Sequence, residues 1–231
     1  MKAIIFAAGK GVRMLPLTEN LPKVLVPING KPLLWYVLEN LRQAGVTEYG
    51  IVVGYLREKV AQFCQQYNIH ASLLIQQEQK GTAHALLQAR QYCGEEQFIV
   101  QGGDNLFSLE DLLSIQKKDR HCYVMGKEEK EWQKYGVLVL EKKKVIRIVE
   151  KPKTFVSSVI NTGLYKFTSS IWNALDQVPL SSRGEYELTD ALTILAWQNK
   201  LRYLPLQGYW LDLGNREDIA KIEKFMRAKA I

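Results

Sequence analysis

With 231 residues, 47% of them hydrophobic and 24% charged, the chain has the composition of a globular protein with a sizeable core, and it holds no run near the ~18 apolar residues of a membrane span. Its three cysteines, Cys64, Cys93 and Cys122, form no CxxC pair and its three histidines no HExxH pair, which argues against a zinc module or a disulfide framework and for reduced thiols in a cytoplasmic protein. The net charge of +7 points to anionic partners, but the basic residues are scattered without interleaved aromatics or a helix-turn-helix, so small polyanions are expected and neither nucleic acid nor membrane is.

In chain order, Lys2–Ala8 reads as a buried strand, cut off by Gly9-Lys10-Gly11 too soon for a signal-peptide core. Pro32 stands at the first turn of a helix with Leu34, Val37, Leu38 and Leu41 on one stripe, and Gly45 ends it. Ile51–Val53 follows as strand, Glu58–Tyr67 as helix, Ser72–Ile75 as strand, Thr82–Tyr92 as helix and Phe98–Val100 as strand. This alternation predicts a parallel sheet with helices on both faces.

The second half is richer in strands. Cys122–Met125, Gly136–Leu140, Val145–Val149 and Ile160–Phe167 are predicted, the middle two joined by a hairpin turn in which Lys142-Lys143-Lys144 is a solvated run. Glu187–Asn199 reads as helix, Leu201–Pro205 and Tyr209–Leu211 as short strands, and Arg216–Ala230 as a closing helix with Ile219, Ile222, Phe225 and Met226 inward. No linker, low-complexity tract or repeat divides the chain. The expectation is one α/β domain over residues 1–231, a Rossmann-like mixed, mainly parallel sheet flanked by helices, with a small β-rich appendage.

The first strand runs into GKGVRM, residues 9–14. A glycine loop followed by basic residues suits an anion, because backbone N–H groups approach a phosphate closely only where no Cβ intrudes. The loop is neither a Walker P-loop, which needs GxxxxGK[ST], nor a full GxGxxG fingerprint, since Met14 occupies the third glycine position. Taken alone it is either a phosphate cradle or a tight turn.

The longer stretch FAAGKGVRMLPLTENLPKVLVPINGKPLL resembles the signature of the sugar-nucleotidyltransferase family, roughly AAGxGxRxxPLT followed by PKxxxPxxxxPL, from Ala7 to Leu34. It departs at Val12, where many members carry a threonine that helps order the loop. The resemblance implies that Ala8, Gly9 and Gly11 meet the nucleotide and that Arg13 and Lys23 are catalytic countercharges. Downstream, SLLIQQEQKGTAHALLQA resembles the family's base-binding segment, which implies nucleotide contacts for Gln76, Gly81 and Thr82. A glutamine amide suits uracil or thymine, since it both donates and accepts. Gln79 and His84 are read as plain helix-start residues.

FIVQGGDN ends an apolar strand on Asp104, and GYWLDLGN offers Asp212 beside Trp210. By resemblance the two aspartates are Mg²⁺ ligands, and two carboxylates suffice because Mg²⁺ completes its shell with phosphate and water. Tyr135-Gly136-Val137, Glu150-Lys151-Pro152 and Asn161-Thr162-Gly163-Leu164-Tyr165 resemble the family's YGV, EKP and NxGxY segments. They imply a sugar-phosphate site of Gly136, Glu150, Lys151, Asn161, Gly163 and Trp210 in the β-rich appendage, with Gly136 and Gly163 leaving room for the hexose. SRGEYELTDAL, residues 182–192, resembles a further family segment and implies a supporting role for Glu185.

The activity implied is transfer of a nucleotidyl group from a nucleoside triphosphate, UTP first, to glucose 1-phosphate or N-acetylglucosamine 1-phosphate. Thymidylyl transfer to glucose 1-phosphate, guanylyl transfer to mannose 1-phosphate and a catalytically silent nucleotide-sugar sensor are the alternatives. No hexapeptide repeats of the left-handed β-helix found in many relatives occur before Ile231, so acetyl transfer is not expected. Oligomeric state stays open, a homo-oligomer being compatible with everything above.

Overall fold

The computed structural model describes residues 1–142 and 144–229. Lys143 of the predicted lysine turn and Ala230 of the predicted closing helix lie outside the described residues. Strand β1 (Lys2–Ala7) pairs in parallel with β4 (Glu48–Val53) on one side and with β6 (Phe98–Gly102) on the other; β4 pairs in parallel with β5 (Ala71–Ile75). Helices cover both faces. Ala3, Ile5 and Ala7 point into a core shared with α1 (Leu33–Gln43), α2 (Arg57–Gln66) and α8 (Glu217–Lys229), whereas Ile4 points to the opposite core. That second core holds α3 (Thr82–Leu87), α6 (Ser170–Leu175) and α7 (Leu188–Trp197). A strand buried on both faces needs apolar side chains at odd and even positions alike, which is why KAIIFA is almost continuously apolar.

The chain moves outward from β1 through β4 to β5, then returns to β1's other edge as β6. At such a reversal the loops leaving the carboxyl ends of neighbouring strands diverge and open a crevice. The loops leaving β1 and β6 are the glycine loop and Gly102-Gly103-Asp104.

Beyond β6 the sheet turns antiparallel. The end of β11 (Val159–Phe167) pairs with β6, while its start lies beside β8 (Cys122–Glu128) and β9 (Gly136–Glu141). Its ladder with β8 is interrupted between Asn161 and Tyr165, where Gly163 has φ +81°. β9 and β10 (Lys144–Glu150) form the predicted hairpin, and β12 (Leu201–Pro205) pairs in parallel with β8. Two small ladders lie apart: β2 (Pro27–Ile28) with β3 (Lys31–Pro32), and β7 (Asn105–Phe107) with β13 (Trp210–Asp212).

Some expectations need correction. The helix predicted over 82–92 is two pieces, α3 and α4 (Arg90–Cys93). The Gln88 side-chain amide donates to the His84 carbonyl at 3.0 Å, and Gln88 N and Ala89 N bond three residues back instead of four, so the ladder tightens and breaks. Strand Tyr209–Leu211 is shifted by one residue to Trp210–Asp212. Strand β7 and helices α5 (Leu109–Ser114) and α6 were missed. The signal for α5 was present: Ser108 Oγ accepts from Asp111 N at 3.2 Å, the S-x-x-D pattern of a helix N-terminus.

Candidate active site

Strands β1 and β6 converge on a cleft of about 550 Å³ that reaches from Ala8 and Gly9 past Lys23 and Asp104 to Glu150 and Asn161. Lys23 enters it because Pro22 starts a single 3-10 turn, Lys23–Leu25, whose Val24 and Leu25 anchor in the core. Gly103 makes room for that anchor: a Cβ there would lie 2.9 Å from Val24 Cγ1 and 3.1 Å from the Phe6 carbonyl. Lys23 Nζ reaches Asp104 Oδ2 at 2.6 Å. Asn105 Nδ2 donates to the other Asp104 oxygen at 2.8 Å, and Trp210 Nε1 donates to Asn105 Oδ1 at 2.6 Å.

Asp212, 108 positions after Asp104, is brought beside it by the small ladder. Asp212 pairs with Asn105, and Leu213 N donates to the Asp104 carbonyl at 3.0 Å. Burial opposes ionisation of Asp104, but the Lys23 ammonium, the Asn105 amide and a backbone N–H outweigh it and hold the carboxyl below the ordinary range. For Asp212, burial and then the charge of Asp104 push the pKa up to about 6, against the pull of Lys23 and Arg13. One carboxylate therefore hinders ionisation of the other, and a divalent cation would relieve both. An all-oxygen pair fits Mg²⁺, which takes one or two carboxylates and draws its remaining ligands from phosphate and water. Among the described residues no group of three or more His, Cys, Asp or Glu is arranged for a metal ion.

At the β1 end, Gly11 has φ +63° and its carbonyl accepts from Thr18 Oγ1 at 2.8 Å. Val12, at the departure from the family pattern, is 66% exposed, and Arg13 is exposed beside it. Gln76 is buried, with Nε2 3.2 Å from the Gly81 carbonyl and 3.0 Å from His84 Nδ1. Gln79 Nε2 donates to the Ala8 carbonyl. Gln79 and His84 are thus more than helix-start residues: they tie the α3 approach to the glycine loop and to Gln76. Gly81 has φ +97°, and a Cβ on it would fall 2.5 Å from the Tyr186 carbonyl.

At the β11 end, Asn161 Nδ2 donates to Tyr165 Oη at 2.6 Å and Asn161 Oδ1 accepts from Gly163 N at 2.9 Å. Burial raises the Glu150 pKa, against Lys151 and Arg183. Arg183 joins Glu187 at 2.6 Å and stands 3.7 Å from Glu150 and 3.8 Å from Glu185. Thr189 Oγ1 is buried on the cleft wall with no hydrogen-bond partner among the described residues. Arg183 and Thr189 were not read as site residues. Both stand in SRGEYELTDAL, residues 182–192, the segment that pointed to Glu185, Thr189 in the first turn of α7.

The structure thus lines one cleft with Ala8, Gly9, Lys23, Gln76, Gly81, Thr82, Asp104, Glu150, Lys151, Asn161 and Gly163. Gly11, Arg13, Gly136, Trp210 and Asp212 stand outside its wall. Arg13 and Asp212 both approach Gly214, where an added Cβ would lie 4.0 Å from Arg13 Nη1 and 3.6 Å from Asp212 Oδ2. Trp210 backs Asn105 and packs edge-on against Tyr135, ring centroids 5.6 Å apart. Gly136 was expected to leave room for a hexose. The space over it holds the Glu150 carboxylate at 2.9 Å and the Thr189 methyl at 3.0 Å from an added Cβ, so the room it makes is for those side chains.

A family model described as "Nucleotidyl transferase" matches residues 2–229. The chain is 38% identical over 230 residues to a "Bifunctional protein GlmU" of Methanocaldococcus jannaschii, covering 99% of this chain and 55% of that protein. It is 36% identical over 233 residues to the "UTP--glucose-1-phosphate uridylyltransferase AglF" of Haloferax volcanii, covering 97% and 96%. The chain therefore spans about half the length of the GlmU relative and nearly all of AglF. Among solved structures, a UDP-glucose pyrophosphorylase complexed with UDP-glucose superposes with TM-score 0.88 at 27% identity, covering 99% of this chain and 98% of that one.

Proposed function

The chain belongs to the nucleotidyl transferase family, and from that premise we propose that it joins a nucleoside triphosphate, UTP first, to a hexose 1-phosphate, releasing pyrophosphate. The observation that carries this reading is the Lys23–Asp104 pair with Asp212 beside it, set between a glycine loop and a polar pocket. The AglF relative, matched along nearly its whole length, supports UTP and glucose 1-phosphate. N-acetylglucosamine 1-phosphate stays as second acceptor on the sequence resemblance, and dTTP as second nucleotide because uracil and thymine share a hydrogen-bonding edge. Guanylyl transfer to mannose 1-phosphate and a silent sensor find no support of their own; a sensor has no need of two adjoining carboxylates.

In this reading a phosphate oxygen of the sugar 1-phosphate attacks the α-phosphorus in line. The new P–O bond forms as the bond to the β-phosphate bridging oxygen breaks, and pyrophosphate leaves with that electron pair. The nucleophile is already anionic, so no general base is required. What the protein must supply is positioning of two polyanions and countercharge for the transition state. Lys23 and Arg13 supply positive charge at the triphosphate. Asp104 and Asp212 would hold Mg²⁺, which when bound neutralises phosphate oxygens. Gln76 and Gly81 meet the base, while Glu150 and Asn161 accept and donate to sugar hydroxyls.

The test is pyrophosphate release with Mg²⁺, crossing UTP, dTTP, GTP, CTP and ATP with the 1-phosphates of glucose, N-acetylglucosamine, galactose and mannose. A strong signal for UTP with glucose or N-acetylglucosamine 1-phosphate, lost in Asp104→Ala, supports the reading. Nucleotide binding with silence across the grid would overturn it.

A further inference from the structure

We infer that His84 is a positioning residue for base selection: it locks the Gln76 amide so that only its carbonyl oxygen is offered to the ligand. The inference rests on the proposed function in taking Gln76 as the residue that meets the base. Gln76 Nε2 lies 3.2 Å from the Gly81 carbonyl oxygen, which can only accept, so the NH₂ end of the amide must face it. The same nitrogen is 3.0 Å from His84 Nδ1. With one amide hydrogen on Gly81, the second goes to Nδ1, and the His84 ring proton therefore sits on Nε2.

Both donors of Gln76 are then spent inside the protein. No hydrogen bond from the described residues reaches Gln76 Oε1, and Gln76 lines both the main cleft and the adjoining hollow beside Lys10 and Tyr55. Gly81 N likewise has no acceptor among the described residues. An N–H donor and a carbonyl acceptor on two residues lining the same cleft match a ring carbonyl next to a ring N–H, the edge of uracil and thymine. Cytosine reverses the pattern, an amino group and a bare ring nitrogen, and would set acceptor against acceptor. The lock matters because a glutamine amide turned by 180° would present NH₂ and read cytosine instead. Without His84 only the single Gly81 bond opposes that turn. His84 is itself held, since its carbonyl accepts from Gln88 Nε2 at 3.0 Å.

The experiment measures Kd for UTP, dTTP and CTP by titration calorimetry with Mg²⁺ at fixed ionic strength, so that no turnover is required. The native protein should prefer UTP and dTTP over CTP by about 10- to 100-fold, the range of a good paired hydrogen-bond readout. His84→Leu, which keeps bulk and removes the acceptor, should cut that ratio to about 3-fold or less. His84→Asn, which returns an amide oxygen at the same branch, should recover most of it. Independently of any variant, ¹⁵N NMR of the native protein should show His84 with a bare Nδ1 and a protonated Nε2. A native ratio that His84→Leu leaves unchanged, or a proton on Nδ1, overturns the inference alone. Equal native affinity for UTP and CTP overturns it together with the assignment of Gln76 to the base. Discrimination that depends on His84, in a protein silent with every sugar phosphate, would sustain it and sink the proposed reaction.

Discussion

Lys23 Nζ and Asp104 Oδ2 lie 2.6 Å apart although 81 positions separate them. One comes from a 3-10 turn held by Pro22, the other from the loop that ends β6, and both segments rest on Gly103. The pair couples the phosphate end of the cleft to the carboxylates. Lys23→Met keeps the stem and removes the charge, leaving Asp104 and Asp212 facing each other with only Arg13 near. Turnover should fall about 10²- to 10³-fold, as when one transition-state contact is deleted, and the metal-free protein should melt lower at neutral pH, because two largely buried carboxylates lose their cation. A kcat within threefold of the native value would refute this.

Thr189→Val separates a binding role from a structural one. A buried hydroxyl without a partner destabilises the fold, so exchanging it for a methyl should leave the melting temperature unchanged or raised. Because Thr189 Oγ1 is closed to the cleft, KM for the sugar phosphate and for the nucleotide should both stay unmoved. A drop in melting temperature would show that the hydroxyl is paired in solution.

Glu150 gives a pH dependence with a definite sign. Burial raises its folded pKa above the ordinary 4.5, so the folded state prefers the protonated form. That penalty is absent below pH 4.5, grows as pH rises through the folded pKa and is complete above it. Glu150→Gln should therefore raise the melting temperature at pH 8, with the gain vanishing toward pH 4, and should weaken sugar-phosphate binding. A gain that is the same at both pH values would contradict the burial argument.

The parallel half of the fold was legible because its strands are buried on both faces and its helices carry one apolar stripe. Residues such as Ile4 and Ile5 announce this directly. The ladder that matters most was not legible: β7 and β13 are three residues each, and nothing in their periodicity says that Asn105 will lie opposite Asp212. Resemblance named both aspartates, while only the ladder explains their meeting. Lys23, Gln76, Glu150 and Asn161 line one cleft. Thr189 and the His84–Gln76 contact went unread because each depends on side chains that meet only after α7 and α3 have packed. Gly136 looked like a gap for ligand until its neighbours were known.

Gly81→Ala tests the turn that carries the base site. At φ +97° an L residue is strained, and its Cβ would sit 2.5 Å from the Tyr186 carbonyl. Strain of this kind costs about 1–3 kcal/mol, so the melting temperature should fall by several degrees and UTP affinity with it. Unchanged stability would mean the Tyr186 segment moves freely away from α3.

The most direct test of the central claim is ³¹P NMR of UTP and glucose 1-phosphate incubated with the protein and Mg²⁺. Equal loss of both substrates is expected, matched by the diphosphate resonances of a nucleotide sugar and by pyrophosphate, with no change when Asp104 or Asp212 is replaced by alanine. Breakdown of UTP with the sugar phosphate left intact would contradict it.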